Sequence, residues 1–233
     1  MRYLLCLLML VVEFSTIHAQ KPTVKSEILS AKEVAQIFPD SVCKAQNIQF
    51  PILRVYKFSD KSGLYYCVLS ESRDEITTDK DTINFRLKAI NLLSVKASLK
   101  KTWEINDNII KENNNEESIW FWTKYIEFKD YDNDGLADPI VTYGTSGDNG
   151  YDDGRIKFII YYKNQKIAIR HQNGVLDFER ETQVDKAFYA LPPSLQAAIR
   201  TKMELMTKNN QAIFPAGWQV AMKNKKTKIN EKR

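Results

Sequence analysis

The stretch that decides the fold runs Ile119-Trp-Phe-Trp-Thr-Lys-Tyr-Ile-Glu-Phe128, then Lys129-Asp130-Tyr-Asp-Asn-Asp-Gly-Leu-Ala-Asp138, then Pro139-Ile-Val-Thr-Tyr143. An aromatic run, an acidic turn and a β-branched run in that order read as strand, loop and strand. Residues 119–128 are predicted as one strand and residues 140–143 as its partner. An unbroken period of two puts Trp120 and Trp122 on one face and Phe121 and Tyr125 on the other. Exposed aromatics stack on sugar rings, but a strand apolar on both faces reads first as one buried between layers. Trp103 and Trp218 carry no such pattern and stay open.

The turn itself is the most specific motif in the chain. Asp130, Asp132, Asp134 and Asp138 stand at loop positions 1, 3, 5 and 9, with Gly135 at position 6. Alternate residues of a tight turn aim their oxygens at one centre, and Gly135 supplies the positive φ that reverses the chain. The Leu136 carbonyl at position 7 completes the set. Hard oxygen ligands in this number suit Ca²⁺. The loop is not an EF-hand: position 12 is Val141 where a bidentate Glu would stand, and the flanks are strands. An acidic turn without metal is the plainer alternative, but four carboxylates at ligand spacing repel one another unless a cation neutralises them.

Acid is concentrated well beyond the loop. From Asp130 to Gly154 there is no Lys or Arg, and Asp148, Asp152 and Asp153 follow the four loop aspartates. A glycosidase-like pair among those three is the enzymatic alternative; turn residues or extra metal ligands are the simpler reading.

Working outward, Ser30-Ala-Lys-Glu33 is a capping box, and a helix over 31–38 stopped by Pro39 is predicted. Residues 52–58 and 64–69 form a hairpin, residues 83–95 and 101–105 further strands, and 106–118 an Asn-rich loop. A second hairpin pairs 156–162 with 166–171. Leu195, Ala198, Ile199, Met203 and Met206 make one apolar stripe, so a helix spans 194–208. Asn209 and Asn210 can close it in the left-handed conformation. Residues 211–220 read as strand-like or packed tail. The whole predicts one mainly β (α+β) domain over 20–222, an antiparallel sheet with a short N-terminal helix and a C-terminal helix packed on it.

The ends carry an address and a charge. Arg2, the apolar run 3–12 and Ile17-His18-Ala19 read as a secretory signal cleaved after Ala19, too short to span a bilayer. The expected location is therefore the periplasm, the cell surface or the extracellular medium. The formal net charge is +5. Residues 223–233 alone hold six Lys or Arg against one Glu, so the rest of the chain is neutral. No basic face remains for nucleic acid. This basic tail can touch anionic headgroups; a frayed, solvated terminus is the plainer reading. Cys43 and Cys67 remain in the exported chain, either bridged in an oxidising compartment or buried as small apolar residues.

Reactive groups are scarce. His171, placed in a surface turn, is the only histidine outside the signal. No G-x-S-x-G elbow, phosphate loop or dinucleotide fingerprint occurs.

Two resemblances complete the reading. Residues 128–143, strand–DxDxDGxxD–strand, resemble the calcium loops of FG-GAP and VCBS repeats; only one copy is present, so the loop chemistry carries over and the propeller does not. Lys101-Thr-Trp-Glu-Ile105, Glu117-Ser-Ile-Trp-Phe-Trp-Thr-Lys-Tyr125, Pro139-Ile-Val-Thr-Tyr-Gly144, Leu191-Pro-Pro-Ser-Leu-Gln196 and Ala212-Ile-Phe-Pro-Ala-Gly-Trp218 together resemble a family of small exported Bacteroidota proteins named for surface polysaccharide biosynthesis. That resemblance implies a link to envelope polysaccharide or lipopolysaccharide, with a glycan or an envelope protein as partner, and implies no reaction. The expected function is a non-enzymatic, calcium-stabilised, exported protein serving envelope polysaccharide assembly or glycan binding; the competing class is a carbohydrate-active enzyme.

Overall fold

A strand apolar on both faces needs a partner layer on each side. This chain meets that need four layers deep. The computed structural model describes residues 24–96, 98–110 and 116–231; the predicted signal, residues 1–19, lies outside them.

The chain runs β1 (Lys25–Ile28), α1 (Ala31–Ile37), α2 (Asp40–Ala45), β2 (Ile52–Asp60), β3 (Gly63–Glu71), β4 (Glu75–Ile76), β5 (Thr82–Ile83), β6 (Arg86–Val95), β7 (Ser98–Asn108) and β8 (Ser118–Phe121). It continues β9 (Glu127–Lys129), β10 (Asp138–Ser146), β11 (Arg155–Tyr162), β12 (Gln165–Gln172), β13 (Glu181–Val184), α3 (Pro193–Lys208), α4 (Trp218–Lys223) and β14 (Lys228–Asn230). The first sheet has the order β1-β2-β3-β6-β7 and the second β14-β13-β12-β11-β10-β8, with β9 also on β10. The paired strands are antiparallel throughout. The fold is the mainly β architecture that the sequence predicts.

Alternation along each strand assigns the layers. On β3, Cys67 and Leu69 face the second sheet, while Tyr66 and Val68 face α1 and α2. On β11, Ile159 and Tyr161 face the first sheet, while Ile156, Phe158 and Ile160 face α3 and α4. Ser30 caps α1 with the expected capping box. In the second hairpin, Lys163 and Asn164 both take positive φ, 47° and 64°, the twist-matched two-residue turn. Among the described residues no helix is long and apolar enough to cross a membrane.

Local expectations are corrected or refined. Residues 119–128 are two strands, β8 and β9, separated by a 3₁₀ turn at Thr123–Tyr125. That turn breaks the period of two, so Tyr125 joins Trp122 on the helix side while Phe121 faces the first sheet. Pro39 does more than stop a helix: it caps α2, which starts at Asp40. β7 runs through Asn108 into the predicted loop, whose residues 111–115 lie outside the description. Residues 211–220 are the packed tail of the two readings and not a strand: Ala212, Phe214 and Trp218 are buried, and the segment leads into α4. The basic end is no frayed tail over 228–230: β14 pairs with β13 and buries Ile229.

The cysteines are both free. Cys67 is wholly buried between the two sheets, and Cys43 sits on α2 beyond the outer face of the first sheet. The sheet's own backbone stands between the thiols, which excludes the bridge. Burial pushes the Cys67 thiol far above its ordinary range, so it is inert. Alkylation of exported, never-reduced protein in denaturant should label both thiols; the folded protein should leave Cys67 unlabelled, and an intact mass showing no labelling in denaturant would contradict this.

Candidate functional site

The acidic turn closes the β9–β10 hairpin, with Lys129 opposite Asp138 and Phe128 opposite Pro139. Its reversal needs two left-handed residues, Asn133 at φ 59° and Gly135 at φ 84°. Each aspartate ties down backbone. Asp130 accepts from the Asp134 amide (3.2 Å) and the Gly135 amide (2.8 Å), Asp134 from the Leu136 amide (2.9 Å), and Asp138 from the Tyr131 amide (2.9 Å). Short side chains accepting from amides a few residues on are what hold such a turn.

Three of the predicted ligands come together. Carboxylate oxygens of Asp130, Asp132 and Asp138 lie within 4.8 Å of one another. Oxygens each bound to one Ca²⁺ at 2.3–2.6 Å span at most about 5 Å, so the three fit one ion. Asp134 stands outside that group: its carboxylate faces the exposed Lys163 ammonium at 3.6 Å. Leu136 is half-buried in the adjoining wall. Local cations are few. Lys163 also lies 3.9 Å from Asp132, and the Tyr162 hydroxyl donates to Asp132 (2.9 Å). Burial, and then the charges of Asp132, Asp134 and Asp130, push the Asp138 carboxyl up to about 6 despite the Tyr131 amide.

The loop is fastened on two sides. Towards the first sheet, Ala137 donates to Asp60 (3.0 Å), the Lys61 amide donates to the Gly135 carbonyl (3.0 Å), and the Lys61 ammonium donates to the Asp134 carbonyl. Towards α3, the Ser194 hydroxyl donates to the Tyr131 carbonyl. Glu127 gathers Tyr131, Lys129 (2.7 Å) and Lys202 of α3 (2.7 Å). Burial raises this carboxyl, but the three donors outweigh it and hold it at about 2.

Between the loop and the first sheet lies a cleft of about 500 Å³, at one open end of the sandwich. Tyr65 enters it stacked on Phe58 (centroids 5.0 Å apart, 9° between planes), and Trp103 enters it stacked on Tyr161 (4.1 Å, 12°). Asn91 and Thr102 supply its floor on the first sheet, and Asp134 and Asp138 supply the facing wall. Thr102 is there because β7 bulges: Asn91 pairs with Trp103 and Leu92 with Lys101, which leaves Thr102 as the extra residue. Bulges re-aim side chains in this way. A second cleft, lined by Phe50, Arg86 and residues 106–110, lies at the opposite end of the first sheet.

Other predicted candidates fall elsewhere. Asp148, Asp152 and Asp153 follow β10, while the acidic loop precedes it. A nine-residue strand separates them, about 30 Å, so they are neighbours of the loop in sequence only. Asp153 Oδ2 accepts from the Asn149 amide and side chain (2.9 and 3.0 Å). Trp122 and Trp218 are core, and Trp120 packs half-buried against the same cluster. Trp103, left open by the sequence, belongs to the cleft.

His171 is not in a surface turn. It is on β12, 2% exposed. The Asn173 amide is fixed by donating to the Tyr151 (2.6 Å) and Gln211 (3.2 Å) carbonyls, so its oxygen accepts from His171 Nε2 (2.7 Å). Nδ1 lies 3.0 Å from the Glu181 carbonyl and 2.9 Å from the Thr182 hydroxyl. The misplacement has a simple cause: Gln172-Asn173-Gly174 looks like a turn, but Asn173 is a buried clamp on two neighbouring segments.

No family model matches this chain, and neither does any curated protein or solved structure.

Burial pulls the His171 imidazole down to about 4, against hydrogen bonds that favour its charged form. The unfolded chain therefore takes up this proton first, and stability falls as pH drops from about 6.5 to about 4, by up to about 3 kcal/mol. Chemical denaturation at stepped pH should show that loss. His171→Gln should start less stable and flatten the slope within this window; an unchanged slope would refute the assignment.

Proposed function

We propose that the chain is an exported, calcium-stabilised, non-enzymatic saccharide-binding protein of the cell envelope, serving surface polysaccharide or lipopolysaccharide assembly. One observation carries the reading: the cleft sets the rings of Tyr65 and Trp103 beside amide, hydroxyl and carboxylate groups. A pyranose presents apolar C–H faces and a rim of hydroxyls, so it needs aromatic area and polar partners at one place. The resemblance to the exported Bacteroidota family supports the setting, and the predicted signal supports the location.

Calcium is the proposed cofactor. Asp130, Asp132 and Asp138 would hold it, with Asp134 and the Leu136 carbonyl as the further oxygens expected from loop spacing. Bound there, the ion would compensate the carboxylate charge that burial makes costly at Asp138 and fix the wall of the cleft. The competing class, a carbohydrate-active enzyme, draws on Asp60 and Asp134, which line the same cleft. Both carboxylates are already engaged by backbone amides, an arrangement that favours scaffold over proton transfer. Release of reducing ends from a bound glycan would favour the enzyme.

Two measurements follow. At calcium a hundredfold above Kd the folded state gains about 2.7 kcal/mol, which for a chain of this size raises Tm by roughly 5–10 °C. Asp138→Asn should abolish that rise, and Asp134→Asn should keep most of it; equal melting in chelator and in calcium refutes the metal. A glycan array probed with the exported chain should give binding that Trp103→Ala removes and chelator weakens. Binding to no glycan with calcium present refutes the saccharide reading.

A further inference from the structure

Asn91 is out of place for its surroundings. It lies in the run Ala89-Ile-Asn-Leu-Leu93 on the inner face of β6, in a cross-strand row with Tyr56, Cys67 and Trp103. Its inner-face neighbours along the strand, Leu87 and Ala89, are core residues between the sheets. Asn91 is 2% exposed, so bulk water does not serve its polar atoms. One end of the amide is committed. Nδ2 donates to the Thr102 hydroxyl (2.8 Å), and that hydroxyl spends its own proton on the Asn91 carbonyl (3.1 Å). The bulge at Thr102 thus fixes which way the amide faces. Oδ1 has no hydrogen-bond partner among the described residues, and Asn91 lines the cleft.

A buried amide oxygen without a donor destabilises the protein that holds it. An apolar residue would fit the row better, so the cost points to a donor that arrives from outside. We infer that Asn91 Oδ1 is a binding acceptor of the cleft and takes a hydrogen bond from a neutral donor on the ligand, a sugar hydroxyl or an acetamido N–H, while the ring of Trp103 covers the adjacent sugar face. The inference rests on the saccharide reading above. An uncharged acceptor also selects by chemistry: a sugar lacking the donor leaves Oδ1 unpaired and is rejected, as is one presenting a carboxylate there.

The test is titration calorimetry in calcium with methyl hexopyranosides and methyl N-acetylhexosaminides, plus the monodeoxy analogues of each binder. Wild type should lose about tenfold or more in affinity for one analogue. Asn91→Leu, of similar volume and without the acceptor, should lose as much on the parent sugar and no more on that analogue. Trp103→Ala should lose affinity for parent and analogues alike. Asn91→Leu binding like wild type, or still penalised by the same missing group, overturns the inference and leaves the saccharide reading standing. Failure of every sugar to bind wild type overturns the saccharide reading, and the inference with it. Should Asn91→Leu not fold, the side-chain amide resonance of wild-type Asn91 decides: a shift on saturation supports the inference, and its absence overturns it.

Discussion

Strand β10 carries a charge where the fold least tolerates one. Residues 138–145 of this strand are all buried, because β10 pairs with β11 on one side and with both β8 and β9 on the other while layers cover its two faces. Asp138 stands at its head, 2% exposed. A carboxylate taken out of water needs compensation, and a single amide from Tyr131 is all that the described residues give it. Much of the local design answers this constraint: the loop curls so that two more carboxylates face Asp138, which makes its burial worse without a cation and favourable with one.

The same head of β10 explains where the cleft is. The acidic loop and the β2–β3 turn are joined through Asp60, Lys61, Gly135 and Ala137, so the two sheets are laced together at this edge. Just inside the lacing the sheets stop filling the gap: the buried Asn91, tied to the exposed, bulged Thr102, stands where apolar core would continue on one side, and Asp134 and Pro139 form the other. A sandwich closed by apolar residues at this point would have no cavity. The opposite end is built differently: there Arg155 pairs with Glu116 and Asp107 beside the second cleft.

Legibility in the sequence followed the range of the interactions. Hairpins were readable because their signals are local: Lys163-Asn164 carries its own turn, and residues 156–171 their own alternation. The stripe Leu195–Met206 and the capping box at Ser30 are equally local. The acidic turn was readable because its aspartates sit within nine residues. What the chain hid is long-range. Asn91, Thr102 and Trp103 belong with Asp138 only after two sheets stack, and nothing in Ala89-Ile-Asn-Leu-Leu93 marks the polar residue except its being polar. His171 was misplaced for a related reason, since the residues that bury it, Thr182 and Phe214, come from other segments. The 3₁₀ turn at Thr123–Tyr125 was invisible because an aromatic run gives no local signal for a break in a strand.

On the proposed reading metal and ligand share one wall, and that sharing would have a thermodynamic consequence. Asp138 belongs to the carboxylate cluster and also lines the cleft, and Asp134 and Leu136 continue the same surface. Ordering the loop around an ion would fix the position of that surface before a sugar arrived, so less ordering would remain to oppose sugar binding. Linkage then runs in both directions: whatever factor calcium adds to the affinity for a saccharide, the saccharide adds to the affinity for calcium. On the proposed reading calcium would be more than a staple for β10. Without the ion, the buried charge on Asp138 would loosen the strand head and the cleft wall together. Stability and binding would be lost at one point, because one carboxylate would serve both.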